Sequence, residues 1–439
     1  MKKKLCFLAV AKAVLLLLML QPFSLVAEII GTNTAASPLT FERIEALPES
    51  ERQAWRDYLE RSVRQRKEDQ DAFRRELQEH KIPKASVPTE TSSRRGVPLG
   101  RPAEWYGSAE AQRIASNIVT FQTPAGGWSK NMDMISKPRS PGMFYAPANA
   151  SRFQSVADFD IPQNGWSYVG TIDNEGTTLQ LRFLARVISA SANQPVLKES
   201  FLRGLNYLFN AQYPNGGWPQ VWPLDGGYHD AVTFNDNAVV NVMNLLWEVS
   251  RGTDTYAFVP EDYRRRASNV FSNGLRCVLA SQVIVDGQRT VWPQQCDALT
   301  LQPTSARNFE MSSLASMESA AMVRFLMRLS EPGRDIIQAV DGAINWFEKT
   351  AIRDKAYRST GPAGRFLVDS PGSGPIWARY YEVGTNRPLF GDRDKTIHDR
   401  IDEISSERRA GYAWFTGNPA EIIKDYAQWR RQHVEKVNP

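Results

Sequence analysis

Gln122-Thr-Pro-Ala-Gly-Gly-Trp128 returns as Gln212-Tyr-Pro-Asn-Gly-Gly-Trp218, and each copy directly follows a stretch of helical periodicity. A degenerate third copy runs from Gln282 to Trp292 and ends in Trp292-Pro293, as the second ends in Trp218-Pro219. Paired glycines allow the positive φ of a tight turn, and the tryptophan that follows is large enough to fold back as an anchor. A structural lock between helix and loop is the plain reading of the motif. Its repetition points to a mainly α fold, an α/α toroid in which helical hairpins surround a central cleft.

The segments around the repeat fit that expectation. Leu179, Phe183, Leu184, Val187 and Ile188 fall on one helical stripe in 176–190, and Val239, Val242, Met243, Leu246 and Val249 do so in 236–250. Further helices are expected over 108–121, 198–211, 261–281, 312–329 and 334–350, separated by long Gly-, Trp- and Pro-rich loops with few convincing strands. Residues 41–82 read as a charged helix that packs one face, carrying Trp55, Leu59 and Val63, on the body. Residues 83–98 read as a Pro/Ser/Thr-rich linker. The expected division is therefore a signal peptide (1–27), a charged helical segment with linker (28–98) and a main domain (99–439).

Of the 439 residues 42% are hydrophobic and 23% charged, which is globular and excludes a disordered or collagenous chain. The net charge of +5 is misleading, because Lys2, Lys3, Lys4 and Lys12 all lie in the first 27 residues, which hold no acid. The remainder is nearly neutral, so a nucleic-acid partner has no support. The basic start, the apolar run Ala13–Leu20 and the small residue Ala27 form an export signal, with Lys12 cutting the run too short for a membrane anchor. A secreted protein, extracellular or periplasmic, with no membrane association after signal removal and acting as a monomer, is expected. Cys277 and Cys296 remain after Cys6 leaves with the signal, and they read equally as one disulfide or as a buried free pair.

Several chemistries lack their motifs. His80, His229, His398 and His433 are scattered, with no HExxH and no Cys/His cluster for zinc. There is neither a GxSxG elbow nor a P-loop. What remains is acidic and basic. Thr171-Ile-Asp173-Asn174 and Thr233-Phe-Asn235-Asp236-Asn237 are alike, and each precedes an amphipathic helix. One reading is plain N-capping. The other is convergence of two helix starts on one face of the toroid, where carboxylates and amides are hard ligands for calcium or the acid and base of a glycosidase. Downstream, Arg307, Arg379, Arg387 and Arg393 lie in aromatic Gly/Pro-rich loops, and Lys130 follows the first GGW. Taken singly these are surface charges; together with the carboxylates they suit a cleft for an acidic polymer, since arginine grips carboxylates in a bidentate manner.

Taken in order, GGWSKNMDM, TIDNEGTT, NAQYPNGGWPQVWPL, TFNDNAVVNVMNLL, PTSARNFE, WARYYEVGTNRPLFGDRD and RRAGYAWF resemble the family 10 pectate lyases of bacteria, from about Arg101 to near Trp429. The resemblance implies an (α/α)3 toroid and calcium-dependent β-elimination of polygalacturonate (pectate). It also implies Arg307 as the base that removes the C5 proton, Asp173 and Asp236 as ligands of Ca2+, and Arg379 and Arg393 as binders of substrate carboxylates, with Lys130 and Asn174 as further substrate contacts. This sequence departs from the family at Asn237, where a second acid often stands, and that touches the metal coordination.

The chemistry is coherent from below. The C5 proton lies α to the C6 carboxylate, so its removal builds negative charge where a cation can stabilise it. An arginine base must first lose its proton, and positive neighbours such as calcium and Arg379 are expected to lower its pKa and give an alkaline optimum. Two other readings compete: a toroidal hydrolase of uronic-acid glycans with Asp173 and Asp236 as acid and base, and a non-catalytic binder of acidic glycans. A terpenoid cyclase, which shares the Q-x-x-x-GGW turn, fits poorly with export and arginine-rich loops.

Overall fold

The computed structural model describes residues 28–91, 97–147, 159, 166–359, 361 and 364–433; the expected signal segment and part of the expected linker lie outside these. After a short helix at Phe41–Glu45 come α1 (Glu49–Glu79), α2 (Ala109–Thr120), α3 (Thr178–Ala190), α4 (Pro195–Ala211), α5 (Ala238–Arg251), α6 (Glu261–Ala280), α7 (Ser316–Met327), α8 (Arg334–Thr350) and α9 (Asn418–His433). Neighbours in sequence pack as hairpins, α3 on α4, α5 on α6 and α7 on α8, with α9 against α7. The stripes that predict α3 and α5 are buried, with Leu184, Val242 and Leu246 fully removed from solvent.

The repeated motif is a three-fold lock. Trp128, Trp218 and Trp292 are all fully buried, and each indole N–H donates back to the preceding helix, at Ile118 O (2.8 Å), Leu208 O (2.9 Å) and Val278 O (2.6 Å). Each glutamine amide bridges its own loop and the helix after next. Gln122 donates to Gly126 O and Ser200 O, Gln212 to Gly216 O and Val270 O, and Gln282 to Thr290 O and Ala339 O. The degenerate third copy is therefore a full structural equivalent. Gly126 has φ +101°, and a Cβ there would lie 2.6 Å from Arg203 O, so this turn requires glycine. Burying one such indole removes roughly 150–250 Å² from water, at most about 4–6 kcal/mol per lock at about 25 cal/mol per Å².

The mainly α expectation needs correction. About 49% of the residues are helical and 12% lie in strands. A five-stranded antiparallel sheet joins β1 (Gly31–Thr32), β2 (Leu314–Ala315), β3 (Tyr380–Tyr381), β4 (Pro388–Gly391) and β5 (Thr396–His398) in the order β1-β5-β4-β3-β2. A hairpin pairs Lys355–Ser359 with Arg365–Asp369. The chain is helix-rich but mixed, and an (α/α)3 toroid does not describe it. The strands escape a sequence reading because most are two to four residues long, too short to display a period of two.

The segment before the body is woven into it. On α1, Trp55 and Tyr58 are buried against Tyr213, with ring centroids 5.2 and 4.7 Å away, and Tyr58 Oη donates to Ala211 O at 3.0 Å. Val63, expected on that face, is exposed; the buried stripe continues through Ser62, Asp69 and Phe73 instead. Cys277 and Cys296 are both buried free thiols, and burial pushes the Cys277 pKa up to about 12. Among the described residues no helix is long and apolar enough to cross a membrane.

Candidate active site

The two look-alike segments form matching 3-10 turns, Asp173–Glu175 and Asn235–Asn237, which run into α3 and α5 and pack against each other. Neither carboxylate caps its helix. The residues before α3 and α5 are Thr177 and Asn237, and neither makes a side-chain cap hydrogen bond. Both turns store backbone strain, with positive φ at Asn174 (48°), Glu175 (64°) and Thr177 (62°), and at Asp236 (48°) and Asn237 (62°). Asn and Asp tolerate this region, but the β-branched Thr177 does not, and each such residue costs on the order of 1–3 kcal/mol. The repeat supplies the restraint. Thr177 Oγ1 accepts from Trp128 N at 2.9 Å and lies 2.9 Å from Thr171 O, while Thr233 N donates to Trp218 O at 3.2 Å. The tryptophan locks thus hold the acid-bearing turns.

Asp173 is buried and pairs with the Lys130 ammonium, which also sits 3.7 Å from the centroid of the Tyr168 ring. Asp236 opens into a cleft of about 440 Å³ lined also by Asn174, Glu175, Asn237 and Glu318. Lost hydration inside the cleft, reinforced by the Asp173 charge, pushes the Asp236 pKa above its ordinary value, against the pull of Arg379 and Arg307.

A continuous hydrogen-bonded network leads from Asp236 to Arg307. Asn235 Nδ2 donates to Asp236 Oδ2 at 3.1 Å, and Asn235 Oδ1 accepts from Arg379 Nη2 (2.9 Å) and Gln294 Nε2 (2.8 Å). Gln294 Nε2 also reaches Glu310 Oε1 at 3.2 Å. Glu310 then grips Arg307 through Nε (2.8 Å), Nη2 (2.6 Å) and the backbone N–H (3.1 Å), and accepts from Tyr412 Oη at 2.6 Å.

The network lies within the span in which the chain matches the pectic acid lyase family, residues 122–423. The chain belongs to that family. It is similar to a family 10 polysaccharide lyase from Cellvibrio cellulosa, with 32% identity and a TM-score of 0.62 over 76% of this chain and 98% of that one. A mutant of that enzyme, solved in complex with trigalacturonic acid, matches at the same identity and TM-score over 99% of its own length. A comparison with curated proteins gives no match. The protein is thus a polysaccharide lyase, and the hydrolase and pure-binder readings of the cleft fall away.

In this lyase the arginines expected to hold substrate differ in what they can reach. Arg379 is almost fully buried and engaged by Glu318 and Asn235, so it fixes Asn235 beside Asp236. Arg393 is half-buried and pairs with Glu407 at 2.8 Å, while its backbone carbonyl accepts from Asn308 Nδ2. Arg387 pairs with Glu382 and Asp399, apart from the network. Asn174 lines the cleft, 3.4 Å from Asn131 Oδ1. Within the chain itself the Glu310 carboxylate beside Arg307 holds the guanidinium well above its ordinary value, against desolvation, which works opposite to the fall expected from calcium and Arg379. Arg379 supplies little counter-effect because Glu318 already answers its charge. Sequence reasoning missed Glu318 and Gln294 outright, whereas Asn235, Glu310 and Tyr412 stand inside the quoted Thr233-Phe-Asn235-Asp236-Asn237, Arg307-Asn-Phe-Glu310 and RRAGYAWF without a role of their own.

Proposed function

We propose that the lyase cleaves polygalacturonate by calcium-dependent β-elimination, giving 4,5-unsaturated oligogalacturonides, and that it acts after export. The observation that carries this reading is the network itself, which ties the Asp236 turn, packed against that of Asp173, to the half-exposed Arg307. The trigalacturonic acid bound by the related enzyme supports the substrate class, and the basic start with its apolar run supports export.

The donor set fits calcium shared with a ligand better than a closed protein cage. Asp173 and Asp236 offer hard oxygens from two adjacent turns, yet among the described residues no group of three or more His, Cys, Asp or Glu gathers for a metal. Calcium takes about 6–8 oxygens, so water and a substrate carboxylate would have to complete the shell, and Lys130, paired with Asp173, would share that carboxylate with the ion. When bound there, calcium supplies positive charge beside the C6 carboxylate, where negative charge develops. Arg307 takes the C5 proton through Nη1, the guanidinium nitrogen that Glu310 does not grip. The C5–H electrons form the C4–C5 double bond, and the C4 oxygen leaves with the bond it held. Because Glu310 stabilises the protonated guanidinium, the reactive neutral form grows with pH and activity rises into the alkaline range. Arg393, whose guanidinium lies 5.6 Å from the Phe309 ring centroid, meets a further substrate carboxylate.

The test is ultraviolet absorbance of polygalacturonate with the enzyme at alkaline pH, with calcium and then with chelator. A rise that chelation abolishes is expected. A rise indifferent to chelator would remove calcium, and no rise would remove the substrate.

A further inference from the structure

Residues 28–45 precede the span matched to the family, yet they run directly beneath the loop that carries Arg307. Asn33, 6% exposed, donates its side-chain amide to two backbone carbonyls, Arg307 O at 3.1 Å and Asn308 O at 3.0 Å. Its backbone N–H donates to Lys395 O at 2.8 Å. Ser305 Oγ donates to Thr34 O, and Ala36 packs against Ala306 and Tyr228. Just before Asn33, β1 pairs antiparallel with β5 and completes the sheet whose β4–β5 turn carries Arg393. Asn308, held by Asn33 through its carbonyl, reaches Arg393 O with its own amide at 2.8 Å.

We infer that this N-terminal arm is a positioning device for the reacting arginine, with Asn33 as its key residue; the inference rests on the reading of Arg307 as the base. Within the loop Ala306 N donates to Glu310 O, Glu310 N to Arg307 O and Arg307 N to the Glu310 carboxylate. Those bonds fix the turn's shape, while Gln294 and Tyr412 hold the Glu310 side chain. Asn33 holds the backbone itself, because its two carbonyl partners belong to the base and its neighbour. It also ties that loop to the Arg393 turn, so the two cationic groups move together. A misplacement of about 1 Å at a reacting group can cost on the order of 10²-fold in rate.

The full chain carrying Asn33→Ala is compared with one carrying Tyr58→Phe, which removes a different hydrogen bond between arm and body, that to Ala211. Asn33→Ala is expected to lower kcat about tenfold with KM and Tm little changed, and to speed amide exchange at Ala306 and Glu310. Asn33→Asp, which keeps the shape without a donor, falls as far. Tyr58→Phe lowers Tm and leaves kcat alone. Unchanged exchange and kcat in Asn33→Ala overturn the brace, as does a loss of kcat that merely tracks Tm in both variants. Faster exchange with unchanged kcat overturns the catalytic link instead, by taking Arg307 out of the chemistry. Should Asn33→Ala fail to fold, Ser305→Ala reads the same loop from its other tie.

Discussion

Two arginine–glutamate pairs lie in one network and are built for different work. In both, the glutamate is buried to 2% of its side-chain surface, but the Arg307 side chain is 40% exposed and that of Arg379 only 5%. Arg307 and Glu310 are three residues apart in one loop and meet through three donors. Arg379 reaches Glu318 across the fold, from just before β3 to the start of α7. A charge that must meet a substrate stays at the water boundary on a short tether. A charge that must hold other groups in place is buried and answered from a distant element. On the proposed reading, the same pair of side chains serves as reactive head in one place and as scaffold in the other.

The sharpest way to break that contrast is to remove each arginine in turn. Arg307→Ala is expected to cut turnover about 10³-fold, while equilibrium binding of oligogalacturonate stays within a few-fold. Activity within tenfold of the parent would strip Arg307 of its role. Arg379→Ala should act mainly on stability, by about 3–5 kcal/mol in denaturant melts, because Glu318 is left buried and uncompensated. Arg379→Met combined with Glu318→Leu should recover most of that stability and leave activity low, since Asn235 still loses its partner. Equal stabilities for the single and double variants would show that the buried pair is not scaffold.

Much of this was legible before any coordinates. The helical stripes place α3, α5 and α8 closely, since buried faces repeat at helical spacing and the repeat marks where helices end. The fold class was not legible, because the sheet consists of very short strands supplied by Gly31–Thr32 at one end and by residues 314–398 at the other. α9 also escaped, because its buried face is only Pro419, Ile422 and Trp429. In the site, the acids and arginines stood out by type and context. Their partners Gln294 and Glu318 did not: each is distant in sequence from the group it holds, and an isolated Gln or Glu carries no motif.

A smaller effect sharpens the chemistry of the exposed pair. The carboxylate of Glu310 raises the Arg307 pKa, so removing its charge must lower it. Glu310→Gln is therefore expected to move the rising limb of kcat/KM against pH toward lower pH by about one unit, the equivalent of about 1.4 kcal/mol, with a reduced plateau because the bidentate grip is lost. A limb that stays in place or moves to higher pH would mean that another group limits the rate.

The smallest effect concerns Arg393, the other arginine that keeps one face to water. Its partner Glu407 is held down to about 2, first by Arg408 and then by Arg393. A carboxyl whose folded pKa lies below its ordinary value of 4.5 lends stability that is complete above that value and fades as pH falls toward 2. Glu407 is 40% exposed, so solvent screening keeps the contribution below about 1 kcal/mol. Thermal melts should show Glu407→Gln slightly less stable than the parent at pH 6, with the gap closing between about pH 4.5 and pH 2. Saturating oligogalacturonate should narrow the gap at pH 6 as well, because an arginine that turns to a substrate carboxylate no longer answers Glu407. A gap that ligand leaves untouched would make Arg393 scaffold like Arg379, and the division between the two kinds of arginine would then run through Arg307 alone.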